Sequence, residues 1–121
     1  MTVARDPSLQ FLWLEVTDLR QSIDFYREML GLPVQEDIPG AAPGAFAIVH
    51  LADHKIYLAP GAPRGMGMYI AIAFPDIDAI HARLVKHGLS VPPPIDEGWA
   101  RYINLFDPDH YHLLLLQPTQ P

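Results

Sequence analysis

Apolar and polar positions along the chain follow two periods, and the order of those periods occurs twice. Alternation with a period of two predicts strands at residues 11–16, 46–52 and 55–59, and again at 69–74, 101–106 and 112–116. After the first strand of each set the period changes to that of a helix. The apolar residues sharing these helical faces are Leu19, Ile23, Tyr26 and Leu30 in the first set, and Ile77, Ile80 and Leu84 in the second.

The two helical segments also resemble each other in sequence. Each follows an acidic residue that can cap a helix N-terminus, Asp18 or Asp76, and each ends at a glycine, Gly31 or Gly88. The caps are 58 residues apart (18 to 76) and the glycines are 57 apart (31 to 88). A duplicated unit of about half the chain predicts two similar modules with a groove between or beneath them.

Each repeated unit contains a strand, a helix and two strands, and its proline-containing connection has room for one more short strand. The 121-residue chain is predicted to be a single domain, because half of it could not bury enough surface to be stable alone. We predict an N-terminal module over residues 9–59, a linker over 60–67 rich in Pro and Gly, and a C-terminal module over 68–118.

The composition excludes several classes of partner. A net charge of −6 argues against nucleic acid and against an anionic membrane, because both require a basic surface. It suits a cationic or neutral ligand, although an acidic balance is also a common solubility device. The chain has no cysteine, so it can form neither a disulfide nor a thiolate metal site. No signal or membrane-spanning segment is recognisable, and we expect a soluble, cytoplasmic protein.

Strand alternation predicts which side chains face the groove. On the first strand these are Phe11, Trp13 and Glu15. If Asp53 and His54 are the two turn residues of a hairpin, His50 lies opposite Tyr57 on the same face. The predicted ligand-binding residues are Phe11, Trp13, Glu15, His50, Tyr57, Tyr69, Trp99, Tyr102, Asn104, His112 and Leu114; no catalytic residue is predicted.

Glu15 is the candidate whose chemistry is most specific. A carboxylate on the inner face of a strand should meet a ligand cation, Arg101 or a histidine, unless it is solvated at the rim of an open sheet. Trp13 and Trp99 could stack on a planar ligand or serve as ordinary packing. His50 could supply a hydrogen bond or, in a metal-free enzyme, a general base.

Two other polar motifs suggest structure rather than chemistry. His110 and His112 are spaced to share a strand face, but His110 falls in a turn, which disfavours a metal pair. Asp107-Pro108-Asp109 is typical of a turn and does not indicate a catalytic carboxylate pair.

Several short motifs, in this order and spacing, resemble one known family. They are Val16–Leu19, Phe25–Tyr26, Leu30–Leu32, Phe74–Asp78, His81–Leu84 and Phe106–Asp109. Over about residues 9–118 the chain resembles the vicinal oxygen chelate superfamily, also called the glyoxalase/bleomycin-resistance/dioxygenase family. The resemblance implies an α+β fold of two β-α-β-β-β modules, whose curved sheets close around a ligand cavity, and a homodimer.

The resemblance breaks at the metal ligands. Metal-dependent members of the family place a histidine at the start of the first strand of each module and a glutamate on its last strand. These positions fall on Phe11 and Tyr69, and on Tyr57 and Leu114, none of which is a usual ligand for a divalent transition metal. The chain therefore resembles the metal-free branch, and we expect no metal or other cofactor.

The favoured hypothesis is a small-molecule binding protein. By this resemblance it sequesters a partly aromatic ligand that could carry positive charge, such as an antibiotic. The alternative is a lyase, isomerase or dioxygenase of the same superfamily that is metal-free or uses unusual ligands. A third reading is an accessory module that acts through protein partners.

Overall fold

Two four-stranded mixed sheets, each packed on one helix, form the computed structural model, which describes residues 11–63 and 69–119. The first module contains β1 (Leu12–Val16), α1 (Leu19–Asp24), a π-helical turn (Phe25–Met29), β2 (Val34–Gln35), β3 (Ala47–Leu51) and β4 (His54–Pro60). The second contains β5 (Tyr69–Ala73), α2 (Ile77–Lys86), β6 (Ile95–Asp96), β7 (Ala100–Phe106) and β8 (His112–Pro118).

The two sheets have the same topology. Their strand orders are β1-β4-β3-β2 and β5-β8-β7-β6, with the first pair of each sheet parallel and the other pairs antiparallel. The predicted α+β fold of two β-α-β-β-β modules is confirmed. Residues 64–67 of the predicted linker lie outside the described residues. No helix in the described ranges is long and apolar enough to cross a bilayer.

Both helices begin as their sequences predict. The Asp18 carboxylate accepts a hydrogen bond from the Gln21 amide, and the Asp76 carboxylate accepts one from the Ala79 amide, each at 3.1 Å. The helices differ in length by one residue. The first has six α-helical residues followed by five in the π-helical turn, whereas α2 has ten. This one-residue difference corresponds to the unequal spacing of the caps and the glycines.

A single apolar core joins the modules. It fills the space between the helices and the faces of the two sheets that pack against them. Fully buried members from both modules are Val16, Tyr26, Leu30, Val49, Leu58, Ile77, Leu84, Leu113 and Leu115. Because this core draws on both halves, burial of apolar surface stabilises them together.

The β3–β4 hairpin differs from the sequence prediction by the position of its turn. The turn residues are Ala52 and Asp53, and Ala52 has a left-handed backbone with φ of +52°. His50 therefore pairs with Lys55, and the prediction that it lies opposite Tyr57 is wrong. Alternation still places both side chains on the face away from α1.

The turn after β7 is built around the buried Asp107 carboxylate. Its Oδ1 accepts hydrogen bonds from the amides of Asp109 and Tyr111, each at 2.9 Å, and its Oδ2 accepts one from the Tyr26 hydroxyl at 2.7 Å. Burial raises the pKa of Asp107. Burial and the Asp107 charge raise the pKa of Tyr26 well above its usual value, so the phenol remains a donor.

The same turn binds the end of β1. The Asp109 carboxylate accepts hydrogen bonds from the Thr17 amide at 3.0 Å and from the Thr17 hydroxyl. The Tyr111 hydroxyl donates to the Glu15 carbonyl at 2.8 Å. We call Tyr26, Asp107, Asp109 and Tyr111 the intermodule clasp, because these residues connect the second module to β1 and to the first helix.

Candidate functional site

The face of the first sheet that points away from α1 carries four aromatic side chains. The parallel register of β1 and β4 places Trp13 beside Tyr57, and their rings stack with centroids 5.5 Å apart and planes 19° apart. Phe46 lies 5.4 Å and Phe11 lies 4.7 Å from the Tyr57 ring. We call these four residues the aromatic platform.

The aromatic platform is open to solvent. Trp13 is 51% exposed and Phe11 is 47% exposed, although side chains of this size and apolarity are ordinarily covered. The exposed part of the Trp13 ring offers an apolar surface on which a planar molecule can stack.

Charged and polar groups border the aromatic platform. The His50 Nε2 lies 2.9 Å from the Gln35 Oε1, within hydrogen-bonding distance. Glu15 makes no side-chain hydrogen bond or ion pair with any residue in the described ranges. Arg101, one of its expected partners, instead forms a bidentate pair with Asp78 at 2.7 and 2.9 Å, so that expectation is wrong.

The corresponding face of the second sheet carries a second set of rings. The His112 imidazole lies 4.3 Å from the Tyr69 ring and 4.6 Å from the Phe106 ring. Its Nε2 lies 2.9 Å from the Asn104 Oδ1, within hydrogen-bonding distance. The β5 residues on this face after Tyr69 are Ala71 and Ala73, whose small side chains leave the face hollow beside the rings.

A cleft of about 420 Å³ lies on this face beside Tyr69, over residues of β7 and β8. The Tyr102 hydroxyl donates a hydrogen bond to the Glu97 carboxylate at 3.1 Å, which raises the pKa of Tyr102. Trp99 is 58% exposed at the mouth of the cleft. The lining residues are Tyr69, Glu97, Trp99, Tyr102, Asn104 and Leu114.

A second cleft, of about 430 Å³, lies where the two faces meet. Phe11 from the aromatic platform and Tyr69 from the second face both line it. The rest of its wall comes from β1, from the β3–β4 hairpin and from successive residues of β5: Leu12, Leu51, Ala52, His54, Lys55, Ile56 and Ile70 to Ala73.

The predicted site residues fall into two groups. Five of them lie on the first face (Phe11, Trp13, Glu15, His50 and Tyr57), and six lie on or beside the second face (Tyr69, Trp99, Tyr102, Asn104, His112 and Leu114). The prediction omitted Phe46, Lys55 and Phe106. Alternation contained the signal for Phe46, which shares a strand face with His50, and for Phe106, which shares one with Asn104.

The family's metal-ligand positions do not fit a divalent ion in this chain. Phe11 and Leu114 offer no donor atom, and Tyr57 and Tyr69 offer only phenols. Across residues 11–63 and 69–119, no three His, Asp or Glu side chains lie close enough together to bind a metal. The donor nearest these positions on the second face, His112, interacts with Asn104.

Sequence comparison identifies the family. The profile of the Glyoxalase/Bleomycin resistance protein/Dioxygenase superfamily matches residues 9–115. The chain belongs to this superfamily. No curated protein matches this superfamily member in sequence.

Several solved structures are similar over most of the chain. TnmS3, an antibiotic binding protein from Streptomyces sp. CB03234, is 28% identical; the match covers 97% of this chain and 100% of TnmS3, with a TM-score of 0.78. A glyoxalase/bleomycin resistance protein from the same organism is also 28% identical, with 89% and 98% coverage and a TM-score of 0.72. A superfamily member from Sphaerobacter thermophilus, at 23% identity, 94% and 99% coverage and a TM-score of 0.72, shows the fold alone.

Proposed function

We propose that this superfamily member binds a planar, partly aromatic small molecule without a metal ion, as a drug-sequestering protein does. The observation that carries the proposal is the exposed Trp13 ring, which stacks on the half-buried Tyr57 within the aromatic platform. Covering such rings with a flat ligand removes apolar surface from water and adds ring–ring contact. The similarity to an antibiotic binding protein supports a small-molecule ligand.

Replacing Trp13 by Ala is expected to weaken the binding of a planar aromatic probe by roughly ten- to a hundredfold, because it removes half of the stacked pair. Acridine, titrated by calorimetry at mildly alkaline pH where it is uncharged, is a suitable probe. Val85→Ala is the control, since Val85 is an exposed apolar residue on α2. Equal acridine affinity in the wild type and in the Trp13→Ala variant would contradict the proposal.

Fluorescence can identify which face binds the probe, because the chain has only two tryptophans, Trp13 and Trp99. In a Trp99→Phe variant, the remaining emission comes from Trp13 and is expected to be quenched by acridine. Saturable quenching restricted to the Trp13→Phe variant would instead place the probe on the second face.

We further propose that two chains pair through the aromatic faces. Apart from Val85, every large hydrophobic residue that is exposed in the described ranges lies on or beside one of these faces. They are Phe11, Trp13, Tyr69, Ile95, Trp99 and Phe106. Pairing would cover part of this surface and enclose the ligand between the bulky first face and the hollow second face.

Light scattering at micromolar concentration is expected to give twice the 13.5 kDa mass of the chain. A Phe106→Asp substitution should yield a monomer, because it places a charge in the paired surface. Val85→Asp makes the same change on α2 and should leave the dimer intact. A wild-type mass of one chain would contradict the pairing.

A further inference from the structure

We infer that the aromatic platform is electrically polarised and selects an elongated planar ligand with a cationic group at one end and an anionic group at the other. The inference rests on the proposed function and specifies its ligand class. The two charged residues are Glu15 and Lys55, which flank the stacked Trp13–Tyr57 pair on opposite sides.

The strand register places these charges. On β4, residues Lys55, Tyr57 and Ala59 alternate onto the same face, and their side chains follow one another along the strand. Tyr57 pairs with Trp13, and Ala59 pairs with Glu15. Lys55 and the backbone row of Glu15 are therefore four residues apart, about 13 Å at a strand rise of ~3.3 Å per residue. The Glu15 carboxylate itself reaches further along the strand, to Gly61. A ring system with two or three fused rings fits between Lys55 and Glu15.

Both charges are available to a ligand. Neither Glu15 nor Lys55 forms an ion pair or side-chain hydrogen bond within the part of the chain that the structure describes. In contrast, Arg101 is held by Asp78 through two hydrogen bonds, which lower the pKa of the Asp78 carboxyl. A free carboxylate and a free ammonium beside an apolar surface provide complementary ends for a dipolar molecule.

The absence of a side chain at Gly61 leaves room for the Glu15 carboxylate. The Glu15 side chain folds over the backbone of Gly61, and a Cβ at position 61 would lie 2.8 Å from the Glu15 Cδ. The Gly61 amide donates to the Val16 carbonyl at 3.0 Å, which fixes this backbone next to β1. Gly61 is thus a positioning residue for the carboxylate, since any other side chain would displace it.

The end of the aromatic platform that carries the Lys55 ammonium lies next to the aromatic face of the second sheet. Lys55 lines the cleft between the two faces together with Phe11 and Tyr69. An anionic group placed there can approach the Lys55 ammonium without leaving the apolar wall of the cleft. At the Glu15 end, in contrast, Phe46 lies on the other side of Ala59.

Three acridines of different charge test this inference: uncharged acridine, cationic N-methylacridinium and anionic acridine-9-carboxylate, titrated at low ionic strength. Glu15→Gln is expected to weaken the binding of N-methylacridinium by roughly tenfold, because it removes a charge-assisted contact. Lys55→Gln is expected to weaken the binding of acridine-9-carboxylate by a similar factor. Each variant should leave the affinity for acridine within about twofold of the wild type.

Two controls make the same changes away from the aromatic platform: Glu28→Gln in the π-helical turn and Lys86→Gln on α2. Gly61→Ala is expected to reproduce the selective loss of N-methylacridinium while acridine affinity and the melting temperature are retained. A Gly61→Ala variant that binds all three probes like the wild type would overturn the positioning role.

The outcomes separate this inference from the proposed function. If Glu15→Gln and Lys55→Gln change all three affinities alike, or no more than the controls do, the polarised ligand class is wrong while stacking on Trp13 stands. If no acridine binds in a Trp13-dependent way, the proposed function itself is overturned.

Discussion

Asp107→Ala is expected to lower the free energy of unfolding by roughly 3 kcal/mol or more. The substitution removes the acceptor of three hydrogen bonds and leaves the buried Tyr26 hydroxyl without its acceptor. A buried donor left unsatisfied costs about 1–3 kcal/mol. Urea denaturation followed by circular dichroism measures the loss, and the slope of the transition shows whether unfolding remains cooperative.

Asp53→Ala is the matched control for the clasp, because Asp53 is an exposed aspartate in the β3–β4 turn. It should change the free energy of unfolding by no more than about 0.5 kcal/mol. Tyr26→Phe removes only one donor, so its loss of unfolding free energy should lie between those of Asp107→Ala and Asp53→Ala. Equal losses of unfolding free energy for Asp107→Ala and Asp53→Ala would show that the intermodule clasp contributes no stability.

Leu113→Ala is expected to destabilise the protein by about 2–5 kcal/mol, the usual range for a leucine removed from a packed core. Leu113 is fully buried on β8, the strand between β5 and β7, and it faces the shared core. The same denaturation measurement checks this. Its neighbour Leu114 points to the opposite face and is only half-buried, so Leu114→Ala should cost less than about 1 kcal/mol. If Leu114→Ala proved the more costly, the assignment of the two faces would be reversed.

Local sequence signals predict most of this fold. The helices, their caps and the six main strands follow from periodicity, and the duplicated order of elements predicts that the two modules are alike. The observed hairpin turn lies one residue earlier than predicted, because Ala52 adopts a left-handed backbone, for which alanine gives no signal. The two-residue strands β2 and β6 are too short to show a period, so only their approximate places could be anticipated.

Alternation also predicts much of the candidate site, since it determines the face that each side chain occupies. It does not show how those faces are arranged in space. That Phe11 and Tyr69 meet at one cleft depends on the packing of the modules against each other. The hydrogen bond between Tyr26 and Asp107 joins positions 81 residues apart, and no local pattern distinguishes that aspartate from an ordinary turn residue. That Arg101 pairs with Asp78 and not with Glu15 likewise follows only from the structure.

The π-helical turn in the first helix preserves the symmetry of the two halves. Tyr26 and Leu84 are separated by the same 58 residues as the caps, and both are fully buried, so the two helices match up to this point. One extra residue in a regular helix would rotate everything after it by roughly 100°. The π-helical turn absorbs that residue within Phe25–Met29, and the chain still leaves at a left-handed glycine, Gly31, as α2 does at Gly88. A length change between the repeats has thus been accommodated inside a helix that packs against the core, rather than in a surface loop where such changes ordinarily accumulate.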